Sequence, residues 1–289
     1  MSNRLRDAAS FARLTLTRLA VVPMVMLGCA PALASAQDPV SVAIIGTGNV
    51  GGTLGPRLAA LGHPVIYGSR EPARDDVRDL VARTGVRGSA ALPRDAAAAA
   101  GIVILAVPAQ ALEQVVRDLG DLEGKIVVDV TTGAMRRAAD GYMELEPGPS
   151  NSQRVQAWVP QAHVVKVAIP SHYILGQPDA LGVVPTVPIA SDHRRAKEAV
   201  AQLIAGLGLD PFDAGPLRFS RTIDEFALLF MVPLQQGRAE GIEIKFLRSS
   251  YWPCFWDVAR QFGRPSDADD LAVFPQRDTM PRPCSEWKR

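Results

Sequence analysis

Apolar residues along this chain follow two alternating rhythms. Short, nearly continuous runs, Val42–Ile45, Pro64–Gly68, Ile102–Ala106, Lys125–Val130 and His163–Ala168, are separated by stretches in which apolar positions recur every three or four residues. Runs apolar on both faces predict strands in the middle of a parallel sheet, and the longer rhythm between them predicts crossover helices. Helices are expected over Val50–Leu61, over Arg74–Thr84 with Val77, Leu80 and Val81 facing inward, over Asp95–Ala100 introduced by Pro93, and over Ala109–Leu119. Between Gly141 and Pro160 the pattern breaks, and Pro147–Asn151 marks a loop. A strand follows at Gly182–Ala190, interrupted by prolines and so expected near an edge. Asp192 is expected to cap a helix running to about Leu207. Leu209–Asp213 is a last short strand, and Ser220–Met231 a strongly apolar helix before Pro233.

The first strand runs into Gly46-Thr47-Gly48-Asn49-Val50-Gly51. A glycine turn between a strand and a helix is the layout of a dinucleotide site. Gly46 permits the tight turn, Gly48 lets a pyrophosphate approach bare backbone, and Gly51 lets the helix pack against the sheet. Thr47, Asn49 and Val50 belong to the same cradle, where unpaired N–H groups and the helix dipole favour an anion. The bland alternative is a tight turn without a ligand. The expected fold is therefore α/β, a Rossmann-type doubly wound parallel sheet over residues 40–214, with a small helical C-terminal part and tail over 215–289.

The second strand ends in Ser69-Arg70, where an NAD site places an acid for the ribose 2′-hydroxyl. Ser69 donates one hydrogen bond to a 2′-phosphate and Arg70 grips it in a charged fork. Arg74 is a candidate second cation, with plain surface solvation the stronger expectation. Glu71 is the acid to consider if the register slips. On charge, NADP is preferred to NAD. Ligands in open α/β sheets bind at carboxyl ends of strands, so Val107, Pro108, Thr131 and Thr132 are candidates to line cofactor or substrate. Ordinary strand-end turns are the alternative for them.

Composition narrows the classes. The 289 residues carry a net charge of +1, and no basic stripe interleaved with aromatics suggests nucleic acid. The histidines at 63, 163, 172 and 193 and the cysteines show no metal-ligand spacing. Arg4, Arg6, Arg13 and Arg18 precede an apolar stretch, Leu19–Gly28, and small residues ending Ala34-Ser35-Ala36. That is a signal peptide over 1–36, cleaved after Ala36, and it implies a periplasmic protein. The apolar stretch is too short for a stable membrane span, which needs about 20 residues. Lipid attachment at Cys29 is the lesser alternative. Export sits awkwardly with a cytoplasmic nucleotide, and no twin-arginine pair precedes the apolar stretch. After cleavage Cys254 and Cys284 remain, either paired or both free.

Several blocks carry a resemblance: Ile44–Gly51, Gly62–Arg70, Val103–Pro108, Gly124–Asp129, His163–Lys166 and Gly208–Pro216. Together they resemble the coenzyme F420-dependent NADP oxidoreductases, whose nucleotide domain is shared with the STEAP metalloreductases. The resemblance implies NADP, with its pyrophosphate on the first turn and its 2′-phosphate on Ser69 and Arg70. It also implies hydride transfer to a small-molecule flavin-like, deazaflavin-like or other acceptor, a C-terminal helical part that closes the acceptor site, and a homodimer. The chain departs from the family where Asn-Pro is usual, with Thr132-Gly133, and where Lys-Ala-Phe-Asn is usual, with Lys166-Val-Ala-Ile169. Both departures are on the acceptor side. Direct hydride transfer needs no acid–base pair. Lys166, His172 and Tyr173 are candidates to protonate a carbonyl or imine acceptor, with a structural role expected for each, and Glu225 is equally ambiguous. The alternative function is a non-catalytic NADP-binding sensor or exported accessory module.

Overall fold

The computed structural model describes residues 39–238 and 242–248. The expected signal peptide with Cys29 and the positions Cys254 and Cys284 lie outside the described residues, as does most of the C-terminal tail. Ten strands are formed among the described residues: β1 (Val42–Ile45), β2 (Val65–Gly68), β3 (Gly88–Ala91), β4 (Ile102–Leu105), β5 (Ile126–Asp129), β6 (Met135–Arg137), β7 (Met143–Leu145), β8 (His163–Val167), β9 (Thr186–Ala190) and β10 (Asp210–Asp213). The helices are α1 (Asn49–Ala60), α2 (Asp75–Thr84), α3 (Pro93–Ala98), α4 (Leu112–Asp118), α5 (Asn151–Trp158), α6 (His172–Gly176), α7 (Arg194–Gly206) and α8 (Ser220–Gln235). None of these helices is long and apolar enough to cross a membrane.

The main sheet has the order β10-β9-β8-β5-β4-β1-β2-β3. From β3 to β8 every pairing is parallel, the doubly wound order expected from the alternating pattern. Side-chain alternation explains the continuous apolar runs. Val42 and Ile44 of β1 join a layer with Leu58, Tyr67 and Leu80, and Ala43 and Ile45 join the opposite layer with Leu105 and Leu112. Helices cover both faces, so both sets must be apolar.

Several expectations are corrected. The Gly182–Ala190 stretch forms a strand only from Thr186; it lies near an edge as expected, one place in from β10. β9 runs antiparallel to β8 through only two registered pairs, Lys166–Ala190 and Val167–Ile189. Pro188 contributes its carbonyl alone, accepting from the Ala168 N–H at 3.1 Å, so its missing donor costs no bond there. Asp192 does not cap α7, which starts after His193 without a side-chain cap. Its Oδ1 instead accepts from the Leu217 N–H at 3.0 Å and anchors the approach to α8. The stretch from Ala109 begins as a 3₁₀ turn and becomes α4 only at Leu112.

The break between Gly141 and Pro160 contains α5. Ser150 Oγ accepts from the Gln153 N–H, and Gln153 Oε1 accepts from the Ser150 N–H at 3.0 Å, a complete capping box. The Ser-x-x-Gln signal was present behind the prolines. β3, the β6–β7 hairpin and α6 are also additions; each is too short for periodicity to register.

Candidate functional site

The glycine turn has the geometry its residues require. Gly46 has φ +114°, and a Cβ there would lie 2.3 Å from the Ala106 carbonyl oxygen. A Cβ on Gly51 would lie 2.1 Å from the Gly46 carbonyl oxygen, so α1 presses directly on the turn. Gly48 differs: beyond its own chain neighbours, none of the described residues stands within 4 Å of its Cβ position. Close packing accounts for Gly46 and Gly51 but not for Gly48, which leaves bare backbone facing open space. α1 starts there with no side-chain cap and no acid in its first turn. Asn49 is exposed beside it, and Thr47 and Val50 are half-buried.

The tip after β2 stands at the neighbouring strand end. The buried Ser69 donates its N–H to Ala91 O at 3.0 Å, and its Oγ accepts from the Glu71 N–H at 3.2 Å. Its hydroxyl proton remains to be given. Arg70 is exposed and makes no hydrogen bond or ion pair among the described residues. Arg74, the candidate second cation, is instead committed: Nε and Nη2 donate to the two oxygens of Asp76 at 2.5 and 2.9 Å. That pair lowers the Asp76 carboxyl, chiefly through the Arg74 hydrogen bond.

Val107 and Pro108 leave β4 alongside the glycine turn; Val107 Cγ1 lies 3.3 Å from the position a Gly46 Cβ would take. Thr131 stands one strand further along, on the wall of a cleft of about 650 Å³. This cleft lies between the ends of β5 and β8 and the inner face of α8, and Val50 connects it to the glycine turn. Its volume suits a small-molecule site. Met135, Ile169, Ile223, Ala227 and Phe230 make its apolar walls.

The cleft floor is polar and was largely unforeseen. Lys166 Nζ lies 2.5 Å from Asp224 Oδ1 and also donates to Thr131 O; the two side chains are 2% and 3% exposed. Burial pushes the Asp224 carboxyl above the ordinary carboxylate range, and the Lys166 charge offsets this only in part. Behind them Asp129 is wholly buried. Its Oδ1 accepts from the Thr131 N–H at 2.8 Å and hydroxyl at 2.6 Å, and its Oδ2 from the Ser152 hydroxyl at 2.5 Å. Asn151 Nδ2 donates to Thr131 Oγ1 at 2.8 Å. The Thr131 hydroxyl is thus fully engaged within the protein.

Lys166 is therefore paired with a partner that sequence reading did not find. The flagged acid on α8, Glu225, points out to Arg221 at 3.3 Å. Its neighbour Asp224 faces the cleft. A helical wheel anchored on buried Ile223 could have selected it. His172 and Tyr173 stand at the cleft mouth with ring centroids 4.0 Å apart, and Tyr173 is largely exposed. Arg57 of α1 holds their helix by donating to Leu175 O, while its other nitrogen donates to Leu207 O at 2.5 Å.

Comparison with known proteins adds to this geometry. A family described as NADP oxidoreductase, coenzyme F420-dependent, matches residues 41–133. The match runs from the start of β1 through the glycine turn and the Ser69–Arg70 tip to the exit of β5. An F420-dependent NADP reductase of Methanothermobacter marburgensis is 28% identical over 197 residues, covering 64% of this chain and 88% of that protein. The crystal structure of a protein described as an F420-dependent NADP-reductase from Arthrobacter sp. FB24 aligns with a TM-score of 0.64 at 27% identity, covering 72% of this chain and all of that one. Metalloreductase STEAP3 of Rattus norvegicus is 26% identical over 198 residues, covering 66% of this chain and 37% of that protein.

Proposed function

We propose that the chain, similar over residues 41–133 to the coenzyme F420-dependent NADP oxidoreductases, moves a hydride between NADP(H) and a small molecule held in the cleft beneath α8. The observation that carries this reading is the pairing of Gly48, bare and facing open space, with Arg70, a cation without a partner among the described residues at the next strand end. Packing explains neither, and a nucleotide bearing a 2′-phosphate explains both. When bound, the nicotinamide supplies or takes the hydride.

The protein's part is positional. The first turn of α1, from Gly48 to Gly51, offers N–H groups and the helix dipole to the pyrophosphate. Ser69 offers a hydroxyl and Arg70 a guanidinium to the 2′-phosphate. The exits of β4 and β5 flank the path from the glycine turn towards the cleft. α8 covers the acceptor with apolar side chains and keeps water from the reacting atoms. The N-terminal leader adds that the mature protein begins at Gln37 and works outside the cytoplasm, which N-terminal sequencing of the expressed protein tests.

Titration with NADPH and NADH tests the nucleotide reading. NADPH is expected to bind at least about tenfold tighter, because a lost charge-assisted contact costs about 1.5–3 kcal/mol. Equal affinities would overturn it. Oxidation of bound NADPH by a panel of flavin, deazaflavin and ferric acceptors then separates an enzyme from a nucleotide-binding sensor, since inertness across the panel supports the sensor.

A further inference from the structure

We propose that the cleft beneath α8 selects an uncharged, ring-sized apolar ligand and rejects polyanionic ones; the inference rests on the oxidoreductase reading only in identifying that ligand as the hydride acceptor. The chemistry of the cleft argues this directly. Its walls are apolar, and the charged side chains that line it among the described residues are Lys166, Asp224 and Glu243.

The lysine is not available to an anion. Its ammonium is held by the Asp224 carboxylate at 2.5 Å and by Thr131 O, with 2% of the side chain exposed. Asp129 stands behind this pair, and its negative charge acts on Asp224. The hydrogen bonds Asp129 accepts come from Thr131 and Ser152, which are neutral. At the rim, Glu243 accepts from the Ser171 N–H at 3.2 Å and adds a third carboxylate. The other titratable groups at the mouth, His172 and Tyr173, lie ring against ring.

One ammonium thus stands with two carboxylates on the lining of a cavity with apolar walls, and a third, Asp129, is buried behind it. Charges interact strongly where water is excluded, and like charges brought together there cost affinity. A ligand bearing phosphates or carboxylates, as the deazaflavin coenzyme and flavin nucleotides do, finds no spare cation among the described residues that line the cleft. A neutral ring system of flavin size meets apolar walls and the polar floor alone. The cleft also coincides with the two segments, Thr132-Gly133 and Lys166–Ile169, where the chain leaves the family pattern.

Riboflavin and FMN separate these cases, because they share one ring system and differ by a phosphate. The purified chain is titrated with each, with and without NADP⁺, following flavin fluorescence. Riboflavin is expected to bind at least about tenfold tighter than FMN, a ratio that shrinks as salt screens the carboxylates. Glu243→Lys is expected to narrow the ratio by strengthening FMN alone. FMN binding as tightly as riboflavin overturns the proposal, and so does failure of both to bind. A parallel calorimetric titration with NADP⁺ keeps the two readings apart. Absence of nucleotide binding with the flavin ratio intact overturns the oxidoreductase reading and leaves the selectivity of the cleft standing.

Discussion

Lys166 and Asp224 meet at 2.5 Å with both side chains almost wholly buried, and they join the end of β8 to the start of α8. Fifty-eight positions separate them in the chain, yet the floor of the cleft beneath α8 depends on their meeting.

Removing either partner alone leaves a buried charge without compensation, which costs about 3–5 kcal/mol. Asp224→Ala and Lys166→Met are each expected to lower the urea midpoint strongly. The double variant Lys166→Met/Asp224→Leu is expected to recover most of the loss. Single and double variants of equal stability would show that the two side chains are not coupled.

The glycines of the first turn separate by function. Gly48→Ala places a methyl where no described residue beyond its chain neighbours comes within 4 Å, and φ there is −74°, which alanine adopts freely. Thermal stability is expected to stay unchanged while NADPH affinity falls by at least about tenfold, the equivalent of roughly 1.4 kcal/mol. Gly51→Ala drives a methyl against the Gly46 carbonyl and is expected to lower both stability and affinity. Calorimetry and thermal denaturation of the two variants check this. Loss of stability in Gly48→Ala would mean that the turn is built for packing alone.

The two arginines near the ribose position are expected to differ. Arg70→Ala should weaken NADPH about tenfold or more and leave NADH nearly unchanged, since only the phosphate contact is lost. Arg74 is occupied by Asp76 on an exposed surface, where an ion pair is worth about 0–1 kcal/mol. Arg74→Ala is therefore expected to change neither nucleotide's affinity by more than about twofold. Equal effects of the two substitutions on NADPH would reassign the phosphate grip.

A pH dependence arises away from the cleft. The His193 ring lies 4.5 Å from the His163 ring. Burial first, and then the charge on His163, lower its pKa, with Asp192 pulling weakly the other way. A depressed folded value means that the stability contributed is complete above the unfolded value of about 6.5 and is lost as pH falls through the folded one. Urea denaturation at successive pH values should show wild-type stability falling on acidification below neutrality, with a shallower fall in His193→Gln. Identical profiles would exclude His193 as the source.

The geometry of the glycine turn was legible because its determinants are local. The turn from Gly46 to Gly51 and the Ser69–Arg70 tip each lie within a few residues of one strand end, and the glycine roles depend on backbone conformation and on the presence or absence of one methyl. The floor of the cleft was not legible. Glu225 drew attention on the apolar helix while its neighbour Asp224 holds Lys166.

The sequence by itself determined the parallel core, since strands buried on both faces must be continuously apolar, and it determined the glycine turn between β1 and α1. Tertiary structure alone decided that β9 turns against the sheet, that Asp192 reaches Leu217 rather than capping α7, and that Lys166, Asp129 and Asp224 share one buried floor. These are long-range pairings. Their partners are chosen by which polar groups remain unsatisfied once the apolar layers have closed, and no periodicity along the chain records that choice.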